Sequence, residues 1–450
     1  MITRGFPPKG LWGSEGYSHD LAVGFVERGH QVDVFFPYAG EGGLVVEEPR
    51  PGLRTIELLL PESSGRPFTQ SYRDPRQDQA LAEWLKKSGR YDRVHFTTLA
   101  GGVSAGLIAV ARPYTRELLL TITDYLLLCH RGQLLDAGLN QCSGPEPVKC
   151  SRCVMEPGPW ADQRWKRRSK ALLARVLAPL GTRIRIATPA ALAERERYLA
   201  ARFAEVDHFI VASTGVRQAY IDHGWDAARI TAMPYALAPS HYEAVEPVAA
   251  SDQVLRFGVI AQLAPHKGVD VVVEAVAALP PELWQRLHLK IYGSPTAHRY
   301  PLFGKRLVER VRGSELPIEL GGTFAPNEIG QVLAGFDFMT LPSIWAESLP
   351  LVLLHTKAMK LPVLGSDMIG VGPFIQDGQD GLVLPAGDVS AWSDALRRII
   401  EDEALRERLT QGARASGVPM EYEEHLWALE SLERIRSYRS SEPGAPSTAC

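Results

Sequence analysis

The chain has 450 residues, more than one hydrophobic core normally supports, so its length predicts two domains of roughly 200 residues each. Hydrophobic residues make up 45% of the chain and charged residues 22%, which excludes a disordered or fibrous protein. The formal net charge of -3 gives no general attraction to polyanions, so no nucleic-acid partner is expected. The sequence has neither a membrane-spanning run of about 18 apolar residues nor a secretory signal pattern, which predicts a cytoplasmic protein.

The start of the chain is unusual for a domain built on parallel strands. Such a domain normally opens with a buried strand of about four to eight residues, whereas Met1–Arg4 reaches a Gly/Pro-rich loop at once. Either the natural reading frame begins upstream and the first strand is clipped, or this strand is short and edge-like.

Short β-branched or aromatic runs alternate with longer helical patterns along the whole chain. This alternation predicts an α/β fold with two doubly wound, Rossmann-like domains, which are expected to face each other across a cleft. The predicted strands are Gln31–Phe36, Arg93–Phe96, Leu118–Ile122, His208–Ala212, Leu255–Ile260, Leu287–Ile291, Phe336–Leu341 and Pro362–Gly365.

Composition also predicts where the domains end. Residues 236–253 are rich in Ala, Pro, Ser and Glu, which is typical of a linker between an N-terminal domain at 1–235 and a C-terminal domain at 254–420. Residues 421–439 are predicted to return to the N-terminal domain as an amphipathic helix at Glu421–Arg436. The tail at 440–450 is predicted to be disordered.

One basic stretch, Arg164–Lys170, stands out in the N-terminal half. The simpler interpretation is a solvated helix face, because apolar residues follow it at helical spacing. The alternative is a contact with an acceptor or with a membrane surface, which would make the protein a peripheral membrane partner.

A strand, a lysine-bearing loop and a helix start follow one another in the C-terminal half. The strand Leu255–Ile260 leads through Gln262 to Lys267 and Gly268, after which a helical pattern begins. A lysine and free backbone N–H groups at a helix start suit a phosphate group.

A second segment, Leu341–Met359, carries polar residues just before another helical pattern. Ser348 is predicted to cap this helix, with Pro350 in its first turn. The positive end of the helix dipole would then lie beside Glu347, where it would stabilise a diphosphate.

In order and spacing, these segments resemble family 4 of the retaining glycosyltransferases with the GT-B fold. In that family a Lys-Gly pair follows the first strand of the C-terminal domain, a Pro-Ser-x-x-x-Glu loop opens a helix, and a Pro-Val strand precedes an Asp-Gly-x-x-Gly-Leu turn. The matching residues here are Lys267-Gly268, Pro342-Ser343, Glu347, Pro362-Val363, Asp377-Gly378 and Gly381-Leu382. The resemblance extends into the N-terminal half through the glycine loop at Gly13-Ser14-Glu15.

The resemblance implies an enzyme that moves a sugar from a nucleotide-diphosphate sugar to an acceptor hydroxyl, with retention and without a catalytic metal. Lys267 would contact the diphosphate and Glu347 the sugar hydroxyls, both as catalytic residues. The implied donor-binding residues are Gln262, Lys267, Glu347, Ser348, Leu349, Leu351 and His355. An unidentified carbohydrate, lipid or small-molecule acceptor would meet Gly13, Ser14, Glu15, His95 and Asp124.

Three side chains depart from the family pattern. His355 stands where a second glutamate would bind the ribose, Gln262 replaces an arginine, and Thr123 replaces a histidine found in a subset of the family. Histidine and glutamine can still hydrogen-bond to a ribose and a phosphate, so weaker donor binding is expected rather than none. The departures leave open a non-catalytic binding or scaffold protein, whereas a hydrolase or phosphorylase is disfavoured because no paired carboxylates stand out.

Four of the five cysteines are close in sequence, at Cys129, Cys142, Cys150 and Cys153. A Cys-x2-Cys pair with two more thiols nearby can complete a tetrahedral zinc site. Such a zinc would be structural, because four protein ligands leave no open position for substrate. The alternative is four unrelated reduced thiols. Some bacterial members of the family have similar cysteines downstream of a Thr-x-x-Asp-Tyr segment.

Overall fold

The computed structural model describes residues 1–10, 13–61, 68–156, 187–242, 245, 254–295 and 300–438. These residues divide into two compact units. The N-terminal unit contains residues 1–156, 187–233 and 423–438, and the C-terminal unit contains the described part of residues 234–422. Each unit is built on its own β-sheet.

The described strands of the N-terminal unit form two hydrogen-bonded groups. They are β1 Val32–Ala39, β2 Gly43–Arg50, β3 Leu53–Leu60, β4 Tyr91–Phe96, β5 Thr115–Ile122, β6 His208–Val211 and β7 Ile230–Ala232. The first group has the order β1-β3-β2 and the second has the order β4-β5-β6-β7. All neighbours in the second group are parallel.

The first residues of the chain join the two groups. Ile2 forms parallel bridges with Phe35 of β1 and with Phe96 of β4. Its N–H donates to the carbonyl of His95 at 2.9 Å, and its carbonyl accepts the N–H of Thr97 at 3.0 Å. The opening segment therefore occupies the position of a first strand, although only one residue forms bridges.

One strand of the N-terminal unit, β2, departs from the parallel pairing that is typical of doubly wound domains. This strand pairs antiparallel with β3, with Val45 opposite Glu57. A tight turn at Pro51 and Gly52 joins the two strands, with Gly52 at a φ of 85°. A turn this short can join only antiparallel neighbours, and the Pro-Gly pair was the signal in the sequence.

Helices flank the strands of the N-terminal unit. They are α1 Gly13–Glu27, α2 Pro75–Ser88, α3 Gly106–Ala111, α4 Pro147–Met155, α5 Pro189–Ala204 and α6 Thr214–Asp222. Several begin with the expected capping chemistry. The side chain of Thr188 accepts the N–H of Ala191 ahead of α5, and that of Ser213 accepts the N–H of Val216 ahead of α6.

The C-terminal unit contains a six-stranded sheet in which all neighbours are parallel. Its strands are β8 Leu255–Ile260, β9 Leu287–Tyr292, β10 Ile318–Gly322, β11 Phe338–Leu341, β12 Val363–Ser366 and β13 Gly381–Leu384. Its helices are α7 Val269–Ala277, α8 Pro301–Arg312, α9 Ile329–Ala334, α10 Leu351–Ala358, α11 Val389–Glu401 and α12 Glu403–Ala415. The strand order is β10-β9-β8-β11-β12-β13.

The C-terminal segment forms two helices, where the sequence predicted one. These are α13 Tyr422–Leu429 and α14 Leu432–Ser437. Ser431 ends the first helix and caps the second, because its hydroxyl accepts the N–H of Arg434 at 3.0 Å. Arg28, just after α1, donates to Glu430 at 2.7 Å, which holds this segment on the N-terminal unit.

The central strands are buried, as expected for parallel sheets covered on both faces. In the C-terminal unit, Phe257 of β8 and Phe338 of β11 stack with their ring centroids 5.4 Å apart. In the N-terminal unit, Val34 and Phe36 of β1 pack in a cluster with Leu53. Within the described residues, every helix is too short or too polar to cross a bilayer.

Candidate functional site

Two loops of the C-terminal unit begin where its strand order reverses. The chain winds in one direction from β8 to β10 and in the other from β11 to β13. In doubly wound sheets, ligands bind outside the carboxyl ends of the strands at such a switch point. The loops after β8 and β11 contain Lys267 and Glu347, which the sequence had singled out.

A glycine shapes the first loop. Residues Pro265–Lys267 form a 3-10 turn, and Gly268 then adopts a left-handed conformation with φ 65° before α7 begins. A Cβ atom on Gly268 would lie 1.9 Å from the carbonyl oxygen of Pro342 in the second loop. The N–H of Ile344 donates to the carbonyl of His266 at 3.0 Å, so main-chain contacts join the loops.

Lys267 and Glu347 meet across these loops. The Nζ of Lys267 lies 2.8 Å from Oε2 of Glu347, and the hydroxyl of Ser343 donates to Oε1 of the same carboxylate. The lysine side chain is 21% exposed and the glutamate side chain 8%, so the cation is the more accessible partner. The structure therefore brings together the charged atoms of the two residues that the sequence predicted as catalytic.

An aromatic ring lies beside the lysine. The Nζ of Lys267 is 5.4 Å from the centroid of the Trp345 ring, which is a cation–π contact. The ring of His266 packs edge-on against the same tryptophan at 5.4 Å. The sequence assigned no role to Trp345, although an aromatic residue two positions before Glu347 was the available signal.

A second glycine fixes the backbone at Glu347. A Cβ atom on Gly370 would lie 2.3 Å from the carbonyl oxygen of Glu347 and 2.8 Å from that of Ser348. The turn after β12 therefore packs directly on this loop, and a side chain at Gly370 would displace it.

The helix after the second loop begins later than the sequence predicted. Helix α10 starts at Leu351 with Pro350 as its N-cap, and no side chain caps it. The hydroxyl of Ser348 lies instead 3.3 Å from the hydroxyl of Tyr235, so the prediction that Ser348 caps this helix is wrong. Leu349 is buried. The first turn of α10 thus has backbone N–H groups that no capping side chain occupies.

Gln262 and His355, the other predicted donor-binding side chains, have surroundings that differ from those of the Lys267–Glu347 pair. Gln262 is exposed to solvent just beyond β8. His355 lies in α10, and its Nδ1 is 2.7 Å from the hydroxyl of Tyr242. The ring of His241 packs edge-on against His355 at 5.4 Å. Residues from the predicted linker therefore engage His355.

The glycine loop of the N-terminal unit surrounds a buried carboxylate. Glu15, in the first turn of α1, is 2% exposed. Its carboxylate is 3.0 Å from Nε of Arg4 and accepts a hydrogen bond from the hydroxyl of Ser14 at 2.8 Å. A Cβ atom on Gly10 would lie 2.9 Å from Cγ of Glu15, so the loop folds closely over this side chain. Gly13 is the first residue of the helix.

His95 is buried inside the sheet. It is 4% exposed, and its Nε2 lies 2.7 Å from the hydroxyl of Thr121 on β5. Burial, followed by the nearby Arg93 guanidinium, lowers the pKa of His95 to about 3. The ring is therefore neutral and lies beneath the surface, and the predicted contact with an acceptor stays a prediction.

Asp124 and Thr123 lie just beyond the carboxyl end of β5. The Oδ1 of Asp124 accepts the N–H of Leu126 at 2.8 Å, and its carbonyl accepts the hydroxyl of Tyr220 at 2.8 Å. The hydroxyl of Thr123 lies 2.8 Å from that of Thr98 in the neighbouring loop. Asp124 therefore stabilises its own turn.

The four clustered cysteines are free and partly buried. The pKa of Cys153 is raised to about 11, mainly by burial; the Arg131 guanidinium opposes this rise, and Cys129, Cys142 and Cys150 add to it. Burial also raises the pKa of the Cys150 thiol, so the thiols of Cys150 and Cys153 are protonated at neutral pH.

The cysteine side chains are not arranged as a closed metal site in the described part of the chain. Among the described residues, no three Cys, His, Asp or Glu side chains are placed to hold a metal ion. The sulfurs have local partners, since Cys142 donates to the carbonyl of Gly144 at 3.6 Å and Cys150 accepts the N–H of Glu146 at 3.3 Å. A structural zinc stays a prediction, which metal analysis of protein purified without chelator would test.

Several predicted features lie outside the described residues. They are the basic stretch Arg164–Lys170, most of the linker at 236–253 and the tail at 440–450. Their predicted roles stay predictions.

Two doubly wound units define the GT-B class of protein, and comparison with known proteins identifies the family. Residues 13–236 match the family described as Glycosyl transferase 4-like domain, and residues 245–416 match Glycosyl transferases group 1. Together these matches cover most of the chain. The chain therefore carries the two domains of a GT-B glycosyltransferase, a glycosyl transferase 4-like domain followed by a group 1 domain.

Curated relatives match over part of their length. The chain is 29% identical over 224 residues to the D-inositol 3-phosphate glycosyltransferase of Stackebrandtia nassauensis, covering 47% of this chain and 50% of that protein. It is 27% identical over 177 residues to the phosphatidyl-myo-inositol mannosyltransferase of Mycobacterium leprae, covering 39% and 44%. The chain thus spans about half the length, or less, of these relatives.

Solved structures share the fold at low sequence identity. The sucrose-phosphate synthase of Thermosynechococcus elongatus has a TM-score of 0.62 at 18% identity, over 97% of this chain and 96% of that chain. Anabaena Alr3699/HepE in complex with UDP and glucose has a TM-score of 0.57 at 16% identity, over 92% and 93%.

Proposed function

We propose that this protein transfers a sugar from a nucleotide-diphosphate sugar to an acceptor hydroxyl, with the donor bound at the switch point of the C-terminal unit. The observation that carries the proposal is the ion pair of Lys267 and Glu347, formed between the loops that follow β8 and β11. Membership in a glycosyltransferase family and a structural neighbour solved with UDP and glucose support the same reaction.

Lys267 has the chemistry to hold the diphosphate. An ammonium group carries three N–H donors, so it can keep its contact with Glu347 and still donate to a phosphate oxygen. The first turn of α10, which no side chain caps, adds backbone N–H groups and the positive end of a helix dipole. Positive charge in these places stabilises the diphosphate as it leaves, because negative charge develops on it during the reaction.

Glu347 has the chemistry to orient the sugar. Its two oxygens already accept from Lys267 and Ser343. Each carboxylate oxygen has a second lone pair, which can accept a sugar hydroxyl. Retention of the anomeric configuration, the lack of a catalytic metal and a cytoplasmic location remain part of the proposal on the basis of the family resemblance and the sequence. The acceptor is a carbohydrate, a lipid or a small molecule.

Calorimetric titration with UDP, ADP and GDP, followed by a donor-hydrolysis assay with the matching sugars, tests the proposal. We expect binding of at least one nucleotide, which Lys267→Ala weakens at least about tenfold, the scale of one charge-assisted hydrogen bond. Lys290→Ala is the matched control, because Lys290 pairs with Glu319 at 2.7 Å on the same sheet and is similarly half-buried. If no nucleotide binds, or if both variants bind equally, the donor site is wrongly placed.

A non-catalytic binding protein is the second candidate. The observation that favours it is the contact between Nδ1 of His355 and the hydroxyl of Tyr242 at 2.7 Å. His355 is the side chain expected to bind the ribose, and one of its ring nitrogens already has this partner. Such a protein would bind a nucleotide through Lys267 but would neither hydrolyse the donor nor transfer its sugar. The hydrolysis assay therefore separates the two candidates.

A further inference from the structure

The N-terminal unit contains a cavity of about 450 Å³ that the proposed reaction does not use. It lies between α5, the loop after β5 and the turn after α6. Its volume is within the range of small-molecule sites in proteins. Most of its wall is apolar, formed by Leu128, Leu192, Leu199, Phe203, Phe209 and Trp225.

A buried cation also lines this cavity. Arg195 of α5 is 5% exposed, and its Nη2 donates to the carbonyl of Leu126. The Nε of Arg195 is buried without a hydrogen-bond partner, and no carboxylate is among the groups that shift its pKa. Burial lowers the pKa of Arg195. A buried guanidinium stays charged, so an unpaired one is costly unless an anion contacts it.

The other charged groups around the cavity limit the charge of its ligand. The guanidinium of Arg229 is already engaged by the carbonyls of Phe203 and Val206. Glu146, Glu196 and Asp226 line the cavity at exposed positions, where they would repel a highly charged molecule such as a nucleotide. The arrangement favours one negative charge at Arg195 and an apolar body against the wall.

We propose that this cavity binds an amphipathic organic acid, with its carboxylate on Arg195 and its apolar part among Phe203, Phe209 and Trp225. An arginine and a carboxylate make strong charge-assisted hydrogen bonds, and the Nε–H of Arg195 is available for one. The inference rests on the cavity alone and does not require that the protein transfer sugars.

Two chemical probes test the charge. Calorimetric titration compares 1-naphthaleneacetate with its neutral amide, 1-naphthaleneacetamide, which has nearly the same shape. We expect the acid to bind at least about tenfold more tightly than the amide, because only the acid makes a charge-assisted bond. Equal affinities for the two probes, or no binding of the acid at millimolar concentration, would overturn the proposal.

Two pairs of variants on α5 test the location. Arg195→Met should remove the preference for the acid, whereas Arg197→Met, at an exposed position outside the cavity, should keep it. Ala200→Phe should weaken binding of the acid at least about fivefold, because the larger side chain fills the edge of the cavity. Ala201→Phe, on the exposed surface outside the cavity, should leave this affinity unchanged.

Ala200 is exposed, so the Ala200→Phe variant provides a test even if Arg195→Met fails to fold. Binding that both Arg195→Met and Ala200→Phe leave intact would place the ligand elsewhere. Titration of the same variants with UDP should give wild-type affinity, which separates this inference from the proposed donor site.

Discussion

The two units place different charges at the loops that lead into α10 and α1. In the C-terminal unit, Lys267 contributes a partly exposed cation, and the neighbouring helix α10 has no acidic residue in its first turn. In the N-terminal unit, the first turn of α1 carries Glu15, whose carboxylate is buried and held by Arg4. A carboxylate at a helix start occupies the place where a phosphate would be stabilised. The charge at the helix start therefore favours an anion in the C-terminal unit and disfavours one in the N-terminal unit.

The largest expected effect concerns this charge difference. Lys267→Ala and Glu347→Ala should each reduce donor-dependent turnover at least about tenfold, because each removes a charge-assisted bond to the donor. Glu15→Gln should leave nucleotide affinity within about twofold of wild type. Steady-state rates and nucleotide titration of the three variants measure both effects. Loss of nucleotide binding in Glu15→Gln would contradict the assignment of the donor to the C-terminal unit alone.

A smaller effect is expected from the glycine that joins the two C-terminal loops. Gly268→Ala should lower the free energy of unfolding by roughly 2 to 4 kcal/mol, because it adds backbone strain and a clash with Pro342. Gly378→Ala is the matched control, since Gly378 has φ 73° but no atom near its missing Cβ. That variant should cost about 1 kcal/mol, from strain alone. Urea unfolding compares them, and equal losses would mean that the contact with Pro342 is unimportant.

The smallest effect concerns His355. Tyr242→Phe removes the hydroxyl that contacts His355 and should cost about 1 kcal/mol of unfolding free energy. If His355 also binds the ribose, His355→Ala should weaken nucleotide binding by about 1 kcal/mol, and His355→Glu should preserve or tighten it. Titration of wild type and the two His355 variants decides this point. Identical affinities would remove His355 from the donor site.

The sequence predicted the parts of the molecule that depend on local spacing. Lys267, Glu347 and the glycines between strands and helices follow from motif order, and the structure brings the two charged side chains together. The features that the sequence could not predict depend on partners that are distant along the chain. The hydroxyl of Ser348 contacts that of Tyr235, which lies 113 positions earlier in the chain. His95 contacts Thr121 on a neighbouring strand, inside the sheet. The Arg195 cavity was missed for the same reason, since its wall comes from five separate segments.

The route of the chain has a consequence for protein synthesis. The chain leaves the N-terminal unit after residue 233 and completes it only with residues 423–438. In the finished unit, the buried hydroxyl of Tyr17 lies 2.8 Å from Nε2 of His425, a pair 408 positions apart. A nascent chain must therefore expose the surface around Tyr17 until the whole C-terminal unit has left the ribosome. The C-terminal unit, which is continuous in sequence, can fold first even though it is translated second.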